Sequence, residues 1–243
     1  MTNEIHRHSL LKSVLLHLLP GIFTGILYFA VVPVVKENGY PSVMGLIIAA
    51  LIVLIPFETG VLLYQKKVTG EKLFNGVIRY IKPMPVWQFF LFIPLVFILT
   101  GLLFKALEFT SDYLQSFFSW LPSGRLLDMG LEAEYSKSKL ITTYLLFLLF
   151  IVLIGPATEE IYFRGFLLPR MPERLKGWTE ITHSGLFALY HTWTPWMIVV
   201  RTIGVLPLIY TVRRKENIYI GIISHCLINS VDFIIGVLYI LSL

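Results

Sequence analysis

Seven apolar stretches alternate with short polar ones along the chain. Ser13–Val35 contains no Asp, Glu, Lys or Arg, and Ser42–Tyr64 contains one, Glu58. Val86–Phe104 is aromatic-rich and uncharged. A fourth stretch begins at Leu140 and is expected to continue as helix to Leu168, where Pro169 stops it. Trp178–Trp193 reads as a short fifth helix ending near Pro195, Trp196–Val212 as a sixth with Arg201 inside it, and Ile218–Leu243 as a seventh. A helix needs about 20 apolar residues to cross a hydrocarbon core of about 30 Å. The pattern therefore predicts an all-α, polytopic transmembrane helix bundle of about seven spans, with the chemistry in the last four.

The polar stretches divide into two kinds. Lys66, Lys67, Lys72, Arg79 and Lys82 make a basic connector that includes a short amphipathic piece. Lys105–Lys139 is long and polar, with Leu114, Phe117, Phe118, Trp120 and Leu121 grouped as if to lie in the membrane interface. Connectors 65–85, 169–180 and 213–217 hold five, three and three basic residues. Those between them hold one, four beside five acids, and none. Basic loops stay cytoplasmic, so the expected placement is a multi-pass cell-membrane protein with a cytoplasmic N-terminus and an outside C-terminus. Met1–Lys12 leads into a full-length span without an A-x-A-type site, which reads as an anchor rather than a signal peptide.

Composition narrows the class. Of 243 residues, 56% are hydrophobic and 14% charged, against about 25% charged in a soluble domain. No room is left for a sizeable soluble domain. The net charge of +5 is spread over loops, and no Lys/Arg run exceeds Arg213-Arg214-Lys215, so nucleic acid is not an expected partner. Cys226 is the only cysteine, which excludes an intrachain disulfide and a cysteine metal cluster. No internal repeat is visible, as a transporter would have. The expected organisation is one integrated membrane domain. Residues 1–139 supply N-terminal helices and the interfacial segment, and 140–243 the catalytic core.

The candidate chemistry lies in Glu159-Glu160-Ile161-Tyr162-Phe163-Arg164, after nineteen uncharged residues from Leu140 to Thr158. A charge at a bilayer centre costs about 2.5–3.5 kcal/mol on the insertion scale, so these three need partners or water. At about 1.5 Å per residue, Glu159 lies about 15 Å from the helix end at Pro169. His191 lies about 20 Å in from Trp178, and His225 and Asn229 about 12 and 18 Å in from Asn217. Three helices thus bring polar groups to a similar depth. Glu160 and Arg164 are i,i+4 and suit an intrahelical ion pair, whereas Glu159 points about 100° away and has no cation of its own. His225 and Asn229 share a face, continued by Asp232.

These residue types suit peptide hydrolysis. Glu159 with His191 can hold and deprotonate a water, while His225 and Asn229 donate to an oxyanion. Glu159, His191 and His225 are equally a zinc-ligand set, although no H-E-x-x-H spacing is present. A structural ion-pair cluster, or polar glue between helices, is the plainer alternative. So is snorkelling for Glu58, packing for Phe187, a packing seam or interface for His17 and His183, and small apolar burial for Cys226. Arg201 either binds a substrate carboxylate or pairs with an acid such as Asp232.

Glu159-Glu160-x-x-x-Arg164, Phe187-x-x-x-His191 and His225-x-x-x-Asn229 resemble, in order and on separate spans, the three motifs of the CPBP family. This is the CAAX-protease and bacteriocin-processing, or Abi, family, which includes type II CAAX prenyl endopeptidases and lysostaphin resistance protein A-like proteins. The resemblance covers about Leu140 to Asp232. It implies an intramembrane endopeptidase in which Glu159 activates water beside His191. His225 and Asn229 form the oxyanion hole, with Glu160 and Arg164 supporting. It implies a peptide or protein substrate, prenylated for some members, and the lipid bilayer as surroundings. Asn229 is a poor zinc ligand and a good oxyanion donor, which favours a mechanism without a metal cofactor over a zinc-dependent one. A non-catalytic scaffold or bacteriocin-immunity protein of the same fold is the alternative.

Overall fold

Apolar runs become helices in the computed structural model, which describes residues 5–121, 127–131 and 135–243. Helix α1 (Leu10–Glu37) starts where the Ser9 hydroxyl accepts the Lys12 backbone N–H. Helix α2 (Val43–Thr69) ends at Gly70, whose φ of +68° forms a left-handed cap. Helix α3 spans Val86–Phe118 and α4 spans Lys137–Arg170. They are followed by α5 (Thr179–Tyr190) and by α6 (Pro195–Gly204) and α7 (Leu206–Lys215), which meet at a 44° bend. Helix α8 (Ile218–Ser242) is capped by Asn217, whose side-chain oxygen accepts from Tyr219 and Ile220 N–H. The protein is an all-α polytopic bundle.

The seven legs differ from the expected ones in length. Among the described residues, five helices are long and apolar enough to cross a membrane, six if the bent α6–α7 pair is one span. The fifth leg, α5, has twelve residues, about 18 Å against a hydrocarbon core of about 30 Å. It stops inside the bundle. The third leg is longer than expected. Helix α3 continues through Lys105, which pairs with Glu108 one turn on, so Leu114, Phe117 and Phe118 belong to this helix and its end, not to a separate interfacial segment. Met1–Glu4 and, within Lys105–Lys139, residues 122–126 and 132–134 lie outside the described residues. The basic connector 70–85 forms turns rather than a helix.

Backbone hydrogen bonds gather the basic connectors at one end of the bundle. His8 N–H bonds Arg170 O (2.8 Å), Arg79 N–H bonds Gly165 O (2.8 Å) and Ile218 N–H bonds Tyr80 O (2.7 Å). Arg7 donates to Pro169 O at 2.9 Å. Helices α1 and α8 thus start at the end where α4 finishes. Burial, with Lys12 and Arg170 nearby, pushes the His8 imidazole down to about 3, so a neutral ring packs edge-on against Phe166.

In lipid the hydrophobic effect does not hold helices together, so close packing and hydrogen bonds must. Tyr28, Leu54, Phe163, Phe187, Tyr190 and Leu208 belong to one buried cluster drawn from α1, α2, α4, α5 and α7. Small residues let backbones approach. A Cβ on Gly21 would overlap the Tyr190 carbonyl, and one on Gly25 the Thr192 hydroxyl. Thr192 also donates to Gly21 O at 2.7 Å. Helix α1 therefore braces the end of α5 inside the bundle, where α5 terminates next to the polar residues.

Candidate active site

Helix α4 is interrupted before and after the short α-helical turn Gly155–Glu159, and Glu160 opens the second interruption. Leu148–Ile154 and Glu160–Leu167 are π-helical, a local widening often found at functional sites. The first widening has a traceable cause. Pro156 has no N–H, and Gly155 N–H bonds to Phe150 O, so the Ile151 carbonyl loses its helical donor. Asn229 on α8 supplies one, with Nδ2 at 2.9 Å from Ile151 O. The Asn229 side chain is thereby fixed to the turn that precedes Glu159.

Glu160 is fully buried and carries two partners. Arg164 Nη1 lies 3.2 Å from its Oε1, and His225 Nδ1 lies 3.0 Å from the same oxygen. Arg164, 1% exposed, has its guanidinium 3.9 Å above the Phe187 ring, a cation–π contact that strengthens when dry. Gly221 makes room for this cluster, because a Cβ there would come within 2.5 Å of Glu160 Oε2. Phe187, read above as packing, packs on the charge itself.

Glu159 lies apart from that cluster. Its Oε1 is 3.5 Å from the Tyr190 hydroxyl, and its Oε2 has no protein hydrogen-bond partner. The Tyr190 hydroxyl donates more closely to Glu58 Oε1, at 3.1 Å. His191 caps α5, and its Nδ1 is 2.8 Å from Phe187 O. A carbonyl only accepts, so Nδ1 carries the hydrogen and Nε2 presents a lone pair. Irregular backbone at membrane depth occurs where it is covered by protein or lines a cavity. The turn after His191, closed by Thr194 N–H to His191 O at 3.0 Å, does the latter.

A cavity of about 460 Å³ brings these groups together. Glu159, Glu160, Arg164, His191, His225 and Asn229 all line it, with Arg201, Thr194 and Asp232. Much of the remaining wall is apolar, from Leu46, Leu54, Phe97 and Phe104. Among the described residues, no group of three or more His, Cys, Asp or Glu side chains is arranged to hold a metal ion.

Residues 141–231 match the family model described as type II CAAX prenyl endopeptidase Rce1-like. Over that segment the chain resembles the CPBP-type CAAX proteases. No curated protein and no solved structure matches the chain. The Rce1-like segment contains all seven named motif residues and Arg201, but not Glu58.

Several expectations change in the structure. Glu58 does not snorkel: it is 0% exposed and bonded to Tyr190. An acid in mid-run on an apolar stretch was the available signal, yet its partner Tyr190 is an ordinary aromatic in sequence. Arg201 forms no ion pair with Asp232 or any other acid among the described residues. His17 and His183 do form a packing seam, with His17 Nε2 2.9 Å from His183 Nδ1 and both rings fully buried. Cys226 is only partly buried.

Proposed function

We propose that the protein is an intramembrane endopeptidase that hydrolyses a peptide bond with water activated by Glu159. The family implies a CAAX-type intramembrane protease acting on a peptide or protein. The observation that carries the mechanism is the partnerless Oε2 of Glu159 on the wall of a cavity that also receives His191, His225 and Asn229. Glu160 also has an Oε2 without a hydrogen-bond partner, but its Oε1 lies against Arg164 and His225, whereas Glu159 forms no ion pair among the described residues.

In this reading a water sits between Glu159 and the lone pair of His191 Nε2. Glu159 takes a proton from it, and the water oxygen bonds to the carbonyl carbon. The carbonyl π electrons move to oxygen. His225 and Asn229 donate to that oxyanion. Asn229 commits one N–H to Ile151 O and keeps a second to give. His225 Nδ1 faces a carboxylate, so an Nε2–H donor requires the doubly protonated ring beside Glu160. Collapse of the intermediate breaks the C–N bond, and the Glu159 proton passes to the leaving amine. The basic end of the bundle is proposed as cytoplasmic, which puts the two termini on opposite sides.

Purified protein in liposomes, given a peptide library, tests the site. Glu159→Gln is expected to lower kcat by about 10²–10⁴-fold, the usual range for a general base. His225→Ala is expected to lower it by about 10²–10³-fold, as for an oxyanion donor. Equal processing by wild type and both variants would remove the assignment. The same assay addresses the alternative zinc set of Glu159, His191 and His225. The water-activating glutamate mechanism predicts full activity after exhaustive chelation. Loss of activity, restored by zinc, would replace it with the metal mechanism.

A further inference from the structure

A second acid reaches the neighbourhood of Glu159 by the same backbone device. In α4 the π-helical run Leu148–Ile154 ends where Gly155 N–H bonds back to Phe150 O, Pro156 follows, and Glu159 comes three residues later. In α2 the π-helical run Ala50–Leu54 ends where Ile55 N–H bonds back to Ala50 O, Pro56 follows, and Glu58 comes two residues later. Each proline lacks an N–H, and each helix carries its widened turn just before its acid.

Helix packing alone does not account for Glu58. It is 0% exposed and forms no ion pair among the described residues. Its Oε1 accepts from the Tyr190 hydroxyl at 3.1 Å, and its Oε2 has no hydrogen-bond partner among the described residues. An acid inside a membrane helix costs more than one hydrogen bond between helices offsets. Glu58 instead holds a hydroxyl that touches the chemistry. The single O–H hydrogen of buried Tyr190 faces two carboxylates, Glu58 Oε1 and, at 3.5 Å, Glu159 Oε1. The closer bond sets where that hydroxyl stands. The Tyr190 ring is also edge-on to His191, the next residue, with 4.8 Å between ring centroids. Neither Tyr190 nor Glu58 is among the described residues that line the cavity.

We propose that Glu58 is a positioning residue for the water-activating step. It fixes the Tyr190 hydroxyl, and through it the Glu159 carboxylate and the His191 ring, in the geometry that holds the water. This assignment deepens the protease reading and rests on it. It places a required group on α2, outside the Rce1-like segment.

The test measures kcat and KM in liposomes, on a library peptide that wild type cleaves. The variants are Glu58→Met, Glu58→Gln, Tyr190→Phe and the double variant Glu58→Met/Tyr190→Phe. Methionine fills a similar volume without an acceptor, whereas glutamine keeps an oxygen for the Tyr190 hydroxyl. Glu58→Met and Tyr190→Phe are each expected to lower kcat by roughly 10- to 100-fold with little change in KM, as for a small misplacement of catalytic groups. Glu58→Gln is expected to recover most of what Glu58→Met loses. The double variant is expected to match Tyr190→Phe alone, because without the hydroxyl Glu58 has nothing to hold. Losses that multiply in the double variant overturn the proposal. So does a loss carried by KM, or a Glu58→Gln as slow as Glu58→Met. A Tyr190→Phe of full rate overturns it too, and needs no variant at position 58 that folds. If cleavage remains dependent on Glu159 in those cases, the protease reading stands without Glu58. If wild type cleaves no library member, the protease reading falls and this assignment falls with it.

Discussion

Two adjacent glutamates meet different fates because one residue of helix turns a side chain by about 100°. Glu160 turns towards α8, where its Oε1 faces both Arg164 and His225, whereas Glu159 forms no ion pair among the described residues. Their removal should therefore have different consequences. Glu160→Gln leaves Arg164 buried beside a neutral amide, and breaking a buried pair costs about 3–5 kcal/mol. Glu159→Gln breaks no ion pair and keeps an oxygen acceptor for the Tyr190 hydroxyl, so it should cost about 1 kcal/mol or less, near the centre of the range for point variants. Thermal unfolding of the purified variants in detergent is expected to separate them, with Glu160→Gln clearly lower. Matching melting temperatures would mean that the ion pair does not hold α4 to α8. The division between the two acids was legible in the i,i+4 spacing. The third partner, His225, was legible only as a residue of similar depth.

At the scale of the element, the site depends on helices that are irregular. A single missing donor at Pro156 leaves the Ile151 carbonyl open, and Asn229 crosses from α8 to fill it. Asn229 thus has a bond to keep as well as an oxyanion to meet. Gly221 gives a sharper test. In an exposed helix interior, Gly→Ala gains about 1 kcal/mol from propensity. Here the added carbon would meet Glu160 Oε2 at 2.5 Å and Val212 at 3.0 Å, and overpacking costs about 1–3 kcal/mol. The steric term wins, so Gly221→Ala is expected to lower both the melting temperature and the cleavage rate. A stabilised, fully active Gly221→Ala would show that α8 can move away from α4. Hydropathy located both helices but not the π-helical turns, since these follow from which donors are absent and which side chain elsewhere replaces them.

At the scale of the molecule, the site extends beyond the Rce1-like segment. Helix α1 presses Gly21 and Gly25 against the Tyr190–Thr192 turn, and α2 contributes Glu58 to the hydroxyl shared with Glu159. A fragment beginning at Lys137 keeps every motif residue but loses both supports. It also exposes the apolar faces that α1 and α2 cover. Such a fragment is expected to be inactive and to lack a cooperative melting transition, and adding residues 1–136 as a separate chain is expected to restore both in part. An active, cooperatively melting fragment would make the N-terminal helices dispensable to the site.

Sequence by itself determined the membrane class, the all-α architecture, and the six polar residues that converge from α4, α5 and α8. Long apolar runs have few alternatives in lipid, where every backbone group must be bonded within its own segment. Buried charges stand out against such runs because each is costly. Tertiary structure alone decided that α5 stops inside the bundle, that Glu58 joins the site through Tyr190, and that Arg201 forms no ion pair among the described residues. Those outcomes depend on which helix packs beside which, and on where a backbone ends in depth. Neither is encoded in the spacing of residues along one strand of chain.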